Sequence, residues 1–229
     1  MIPVWYAIPS CNRERALRCF EAWADMGYRC AVHTDADGGE WGADARHVGP
    51  YRGYWTESNH LARMIGGDAA VVVFGGDDIL PDPKRRAEDI ALEFVEHFKG
   101  TFGVMQPTGD PWMPDKDGVP ASARICGSGW YGRDWIARAY GGRGPTWPDY
   151  HQFFADEEVQ QVALRLGVFW QRPDLTQLHL HWSRTDGTPG VDPRAPYQKA
   201  NSDRWWQVDK ALFELRRSLG WPSHQVREL

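Results

Sequence analysis

Apolar and polar positions along the first hundred residues change period several times, and each change marks an element. Val4–Ile8 is a short apolar run that predicts a strand. Arg13–Met26 carries Leu17, Phe20 and Trp23/Ala24 at helical spacing, and Gly27 stops that helix. Tyr28–His33 predicts a second strand. After a glycine-rich loop, Thr56 stands where it could cap a helix reaching Ile65, which Gly66 and Gly67 end. Ala69–Phe74 is apolar almost throughout, as in a strand covered on both faces of a parallel sheet. Lys84–Phe98 predicts a third helix. This alternation of strand and helix predicts an α/β/α sandwich around a mostly parallel sheet.

The rest of the chain is richer in loops. Residues 107–120 are proline-rich and lack periodicity, which predicts an exposed loop. Arg133–Tyr140 and Asp156–Leu166 predict short helices, closed by Gly141 and Gly167. Val168–Trp170 and Leu178–Trp182 predict short strands. A polar linker over 185–196 leads to a last helix. Asn201 or Ser202 would cap it, Trp205, Val208, Leu212 and Leu215 would share its buried face, and Gly220 would end it.

Composition narrows the class. A chain of 229 residues with net charge −5 holds one sizeable core and is not a globally basic nucleic-acid binder. Its thirteen tryptophans are expected mostly in the core, with some suited to a ligand cleft. Cys11, Cys19, Cys30 and Cys126 show no metal or disulfide spacing and read as reduced thiols. With no signal peptide and no membrane-length apolar run, the expectation is a cytoplasmic protein without membrane insertion.

The chemistry concentrates in three places. In "VVVFGGDDILPDP" a buried strand ends on Gly75 and Gly76 and then on Asp77 and Asp78. Adjacent carboxylates repel, so something positive should sit beside them. At the carboxyl end of a strand, where α/β folds bind ligands, they suit Mg²⁺ or Mn²⁺ neutralising a diphosphate. The competing reading is a turn that caps the following helix, a task Asp82 could do alone. In "FADEEVQQVALRLG", Asp156 and Glu157 open a helix, where the dipole stabilises them and where one could act as a general base. In "LHLHW", His179 and His181 alternate along a predicted strand and would face one side, as metal ligands or as structural histidines. Gly127, Gly129 and Gly132 satisfy G-x-G-x-x-G, but no βαβ unit follows, so a dinucleotide site is not expected. P-loop, HExxH and GxSxG motifs are absent.

In this order, these pieces resemble the GT-A glycosyltransferases, especially the family 2-like nucleotide-diphospho-sugar transferases. "VWYAIPSCNRERALRCFEAW" is similar to their first strand, Pro-x-x-Asn-Arg turn and first helix. "CAVHTDADGG" resembles the second strand and its nucleotide-contacting loop, and "ESNHLARMIGGDAAVVVFGGDDILP" resembles the approach to the DxD motif. "GSGWYGRDWIARAYGG" looks like the segment ahead of the acceptor site. The resemblance spans residues 3–182, with Gly75 in place of the first DxD aspartate.

It implies a GT-A catalytic domain over 1–182, with 1–100 as the nucleotide-sugar half, 101–182 as the acceptor half, and 183–229 as a linker and C-terminal helix. The implied activity is metal-dependent, inverting transfer from a nucleotide-diphospho-sugar, UDP-sugar first, to an acceptor hydroxyl. Asp77, Asp78, His179 and His181 would hold Mn²⁺ or Mg²⁺, and Asp156, or else Glu157, would be the base. Pro9, Asn12, Arg13, Asp35, Asn59, Arg63, Gly76 and Asp77 would bind the donor. Gly129, Trp130, Tyr131 and Trp147 would meet the acceptor, a glycan, a protein or hydroxymethylated phage DNA. DNA would require Arg184, Arg194, Arg204, Arg216 and Arg217 to share one face beside the cleft. The alternatives are a nucleotidyltransferase, disfavoured because "PSCNRER" lacks its glycine-rich signature, and a non-catalytic carbohydrate- or nucleic-acid-binding module.

Overall fold

The computed structural model describes residues 2–36, 38–112, 118–119, 121–184, 186–191 and 196–221, with side chains from 199 onward in the last segment. Arg194 and much of the expected 107–120 loop lie outside the described residues.

Strand β1 (Val4–Pro9) pairs in parallel with β2 (Arg29–Thr34) on one side and with β4 (Val71–Phe74) on the other. An edge strand, β3 (Ala45–Val48), continues the parallel set beside β2. The alternately exposed ARHV sequence of β3 lacks an apolar run, which is why the hydrophobic pattern missed it. Beyond β4 the sheet turns antiparallel through β7 (Trp130–Gly132), then continues with β6 (Val104–Pro107) and β8 (Phe169–Arg172). The order is β3-β2-β1-β4-β7-β6-β8. A separate two-residue ribbon joins β5 (Ile79–Leu80) to β9 (Leu178–His179). The expected strand to Trp182 is therefore shorter, with Leu180 N–H bonded instead to the Asp78 carbonyl.

Helices cover both faces, the condition a parallel sheet requires. Along β1, Val4, Tyr6 and Ile8 point into a core with α1 (Arg13–Asp25) and α3 (Ala87–Phe98). Trp5 and Ala7 point the other way, into a core with α2 (Tyr54–Ile65), α5 (Ala155–Arg165) and α6 (Pro196–Ser218). The short α4 (Arg133–Arg138) ends in a 3₁₀ turn rather than running to Tyr140. Helix α2 starts at Tyr54, so Thr56 is not its cap; its hydroxyl donates to the Tyr150 carbonyl. The preceding Gly53 has φ +130° and touches His151 so closely that a Cβ would overlap its backbone.

Helix α6 begins at Pro196, ahead of Asn201, and its buried stripe differs from the expected one. Val208 and Leu215 are exposed, and the inward positions include Asp209 and Arg216, both buried. Asp209 accepts from the backbone N–H groups of His151, Gln152 and Phe153 at 2.7–3.2 Å. Arg216 forms a bidentate pair with buried Glu158 at 2.8 and 2.6 Å. Charged residues with partners filled positions that hydrophobic periodicity assigned to apolar ones. Seven of the thirteen tryptophans are buried (Trp5, Trp23, Trp41, Trp55, Trp130, Trp135 and Trp221), a small majority. No helix among the described residues is long and apolar enough to cross a membrane.

Candidate active site

One cleft of about 1290 Å³ opens at the carboxyl ends of β1, β2 and β4. Strand order reverses between β1 and β4, the place where open α/β sheets bind ligands. Pro9, Asp35, Gly76, Asp77, Asp78, Asp156, Glu157, His179 and His181 all line it, although they come from five separate parts of the chain.

The charge beside the paired aspartates is Arg15, in the first turn of α1. Its guanidinium lies 2.6 Å from Asp77 Oδ1 and 3.6 Å from Asp78 Oδ2. Asp77 Oδ2 also accepts from the Ser10 hydroxyl at 2.6 Å. Burial raises the Asp77 carboxyl, and these partners only partly offset it. Asp78 is equally buried, but His179 and then Arg15 outweigh the burial and hold it below the usual range. The β5–β9 ribbon sets Ile79 opposite His179, and so brings His179 Nε2 to 3.5 Å from Asp78 Oδ1. Trp112 covers both histidines, with ring centroids 4.3 and 4.9 Å away. His181 Nδ1 pairs with the Ser183 hydroxyl, and burial lowers its pKa to about 4.

Glycine at position 75 is dictated by packing. The Tyr6 hydroxyl, which donates to the Gly76 carbonyl, sits where a Cβ on Gly75 would go. Tyr54 donates to the Gly75 carbonyl at 3.0 Å. A side chain in the first DxD position is thus excluded by this backbone. Asp82, weighed as the cap of the next helix, instead accepts from Lys84 N–H and Thr176 N–H; α3 starts later, at Ala87.

On the opposite wall, Asp156 opens α5. Phe154, immediately before the helix, is held at φ +67°, an unusual conformation for a bulky residue. Asp156 is half-exposed toward the cleft but surrounded by protein. Burial, followed by repulsion from Glu157, pushes its carboxyl up to about 7. Helix α6 supplies Asn201, Trp206 and Lys210 to the same wall.

Several expected residues are engaged elsewhere. Asn12 caps α1 by accepting from Arg15 N–H, and Arg13 binds the Glu40 carbonyl at the surface. Asn59 is buried and accepts from Thr146, while Arg63 reaches the Arg143 carbonyl. None of the four acceptor candidates lines the cleft. Trp130 and Tyr131 belong to buried β7, Gly129 accepts from Phe74 N–H, and Trp147 lies under Arg143 and Arg216. The aromatic lining comes instead from residues such as Tyr51, Tyr54, Trp112, Phe153, Phe154 and Trp206. The G-x-G-x-x-G run leads into an antiparallel strand, not a βαβ unit. Of the arginines a nucleic-acid backbone would need, Arg184 is clamped by Asp110 and Asp186, and Arg216 is buried on Glu158.

Asp78 and His179 fit a divalent cation: one oxygen and one nitrogen donor converge in the cleft. Asp77 fits only if Arg15 moves away. Among the described residues, three ligand atoms within 4.8 Å of one another occur elsewhere, at His33, His47 and Glu57.

The fold is that of the GT-A nucleotide-sugar transferases. The catalytic domain of Drosophila β1,4-galactosyltransferase 7, solved with xylobiose, aligns over 89% of this chain and 80% of its own with a TM-score of 0.51 at 12% identity. A mutant of the same enzyme, solved with manganese, UDP-Gal and xylobiose, aligns over 90% and 81% with a TM-score of 0.47, also at 12% identity. No protein-family model and no curated protein sequence matches the chain.

Proposed function

We propose that the protein is an inverting glycosyltransferase that moves a sugar from a nucleoside diphosphate to an acceptor hydroxyl. The observation that carries this reading is the pairing of walls across one cleft: Asp77, Asp78 and His179 on one side, and Asp156, with its carboxyl near 7, on the other. The shared fold of a galactosyltransferase supports it.

The donor diphosphate lies toward Asp78 and His179, which would hold a divalent cation. When bound, that cation supplies charge neutralisation of the leaving group. Pro9, Asp35 and Gly76 border the nucleotide end. Arg15 adds a positive charge where the diphosphate arrives and partly offsets the rise that burial imposes on the Asp77 carboxyl. Asp156 accepts the proton of the acceptor hydroxyl as that oxygen attacks the anomeric carbon from the face opposite the diphosphate. The carbon passes through an oxocarbenium-like transition state, as in glycoside hydrolysis. Negative charge on Asp156 and Glu157 favours that cationic character.

A saccharide hydroxyl is the acceptor the cleft suits best. Its mouth offers aromatic faces from Phe153, Phe154 and Trp206, which stack on pyranose C–H faces. Arg184 and Arg216 are engaged inside the protein, which leaves a DNA backbone few of the cations it would need.

The test is turnover. Incubation with UDP-, GDP- and TDP-sugars, Mn²⁺ and a glycan panel should release nucleoside diphosphate, and Asp156→Asn should stop transfer while donor binding persists. Release of pyrophosphate would instead indicate nucleotidyl transfer. Unchanged turnover in Asp156→Asn would remove that residue as the base.

A further inference from the structure

At the nucleotide end of the cleft, outside the proposed catalytic set, three potential ligands converge. His33 is the penultimate residue of β2, and His47 is its register partner on β3, so both rings project from the same face of the sheet. Glu57 reaches them from the first turn of α2. His33 Nδ1 lies 2.8 Å from His47 Nδ1 and 3.1 Å from Glu57 Oε2. His33 and Glu57 are buried, and His47 is half-buried.

A single proton serves this arrangement poorly. Two protonated Nδ1 atoms would clash at 2.8 Å, so at most one carries a proton: on His33 it is shared between a ring nitrogen and a carboxylate oxygen, and on His47 it leaves Glu57 Oε2 facing the unprotonated His33 Nδ1. The other nitrogen of His33, Nε2, is buried without a hydrogen-bond partner. A dication would engage all three lone pairs at once. With zinc–nitrogen and zinc–oxygen bonds of about 2.0–2.1 Å, tetrahedral ligand atoms stand roughly 3.3 Å apart, so the 2.8 and 3.1 Å found would open by a few tenths of an ångström around the ion.

We infer that His33, His47 and Glu57 form a site for a transition-metal dication of the zinc type, separate from Asp78 and His179. Two imidazoles and one carboxylate select Zn²⁺ or its neighbours over Mg²⁺. Supporting contacts are present. Arg52 donates to Glu57 through its backbone N–H and its guanidinium at 2.9–3.2 Å, and the His60 ring packs on His47 at 4.0 Å. Three protein ligands leave a fourth position, and His33 borders the cleft, so water or an oxygen of a cleft ligand would complete the shell.

The test uses the full chain stripped of metal by chelator, without nucleotide. Zn²⁺ binding is measured by calorimetry and elemental analysis, and Co²⁺ binding by its visible ligand-field band. Asp78→Asn should bind one equivalent, and wild type that same equivalent together with any ion held at Asp78 and His179. His47→Ala, on an edge strand, should lose more than about 100-fold in affinity, since loss of a mere supporting contact already costs about 10–100-fold. Should His47→Ala fail to fold, the imidazole nitrogen resonances of His33 and His47 in wild type must shift on Zn²⁺ addition. No binding by wild type, equal affinity in His47→Ala, loss of the band in Asp78→Asn alone, or unmoved resonances would each overturn the assignment.

Discussion

Asp156 carries the heaviest demand in the proposed reaction, since a base must be ionised and yet basic enough to take a proton. A carboxyl near 7 meets both conditions at neutral pH. Transfer should therefore rise with pH through about 7 and level off above it, and Asp156→Asn should lower the rate by roughly 10²–10⁴-fold. The same shift has the opposite effect on folding. A carboxyl whose pKa is raised in the folded state binds more protons there than in the unfolded chain between about 4 and 7, so its contribution to stability falls as pH rises through that window. Asp156→Asn should gain melting temperature relative to wild type over that interval and keep the gain above it; a constant difference across pH would show that the carboxyl is not perturbed. Arg15 is the second decisive residue. Arg15→Ala leaves Asp77 buried without its cation and should cost on the order of 3 kcal/mol in denaturant unfolding, most of it recovered in Arg15→Ala/Asp77→Ala. The sequence required a cation beside the aspartates but did not say which one. Arg13 and Arg15 sit two positions apart on α1, about 200° around the helix, and only the docked helix shows that Arg15 faces the cleft.

Among the elements, α6 links stability to the site. Asp209 ties down the backbone of 151–153, immediately before the strained Phe154 and Asp156, and the Glu158–Arg216 pair anchors the same helix to α5. Asp209→Ala should destabilise the fold by about 3 kcal/mol, increase amide exchange in 151–155, and lower kcat more than donor affinity. Stable protection of those amides would show that α6 only covers the core. Elements with a strong apolar signature were legible from sequence: β1, β2, β4, α1, α3 and α5 differ from expectation by a few residues at their ends. Elements fixed by distant partners were not. The β3 edge has no apolar run, the β5–β9 ribbon pairs residues a hundred positions apart, and the inner stripe of α6 includes an aspartate and an arginine. The acceptor residues were misplaced for a related reason. By the family resemblance Trp130 and Tyr131 would meet the acceptor beside a glycine-rich loop, whereas Gly132 allows β7 to press against Thr101 and both rings are buried.

At the scale of the whole molecule, the proposed reaction has the two acidic walls enclose one donor: a nucleoside diphosphate held through a cation at Asp78 and His179, facing Asp156. At ligand concentrations near 100 Kd, such binding should add about 2.7 kcal/mol, or roughly 5–10 °C in melting temperature for a chain of this size. The most direct measurement is calorimetric titration of UDP, GDP and TDP in the presence of Mn²⁺ into wild type, Asp78→Asn and Asp156→Asn. One of them should bind one-to-one to wild type and to Asp156→Asn, and that binding should be lost in Asp78→Asn or after chelation. Failure of all three nucleotides to bind, or binding indifferent to both Asp78 and the metal, would contradict the proposed reaction.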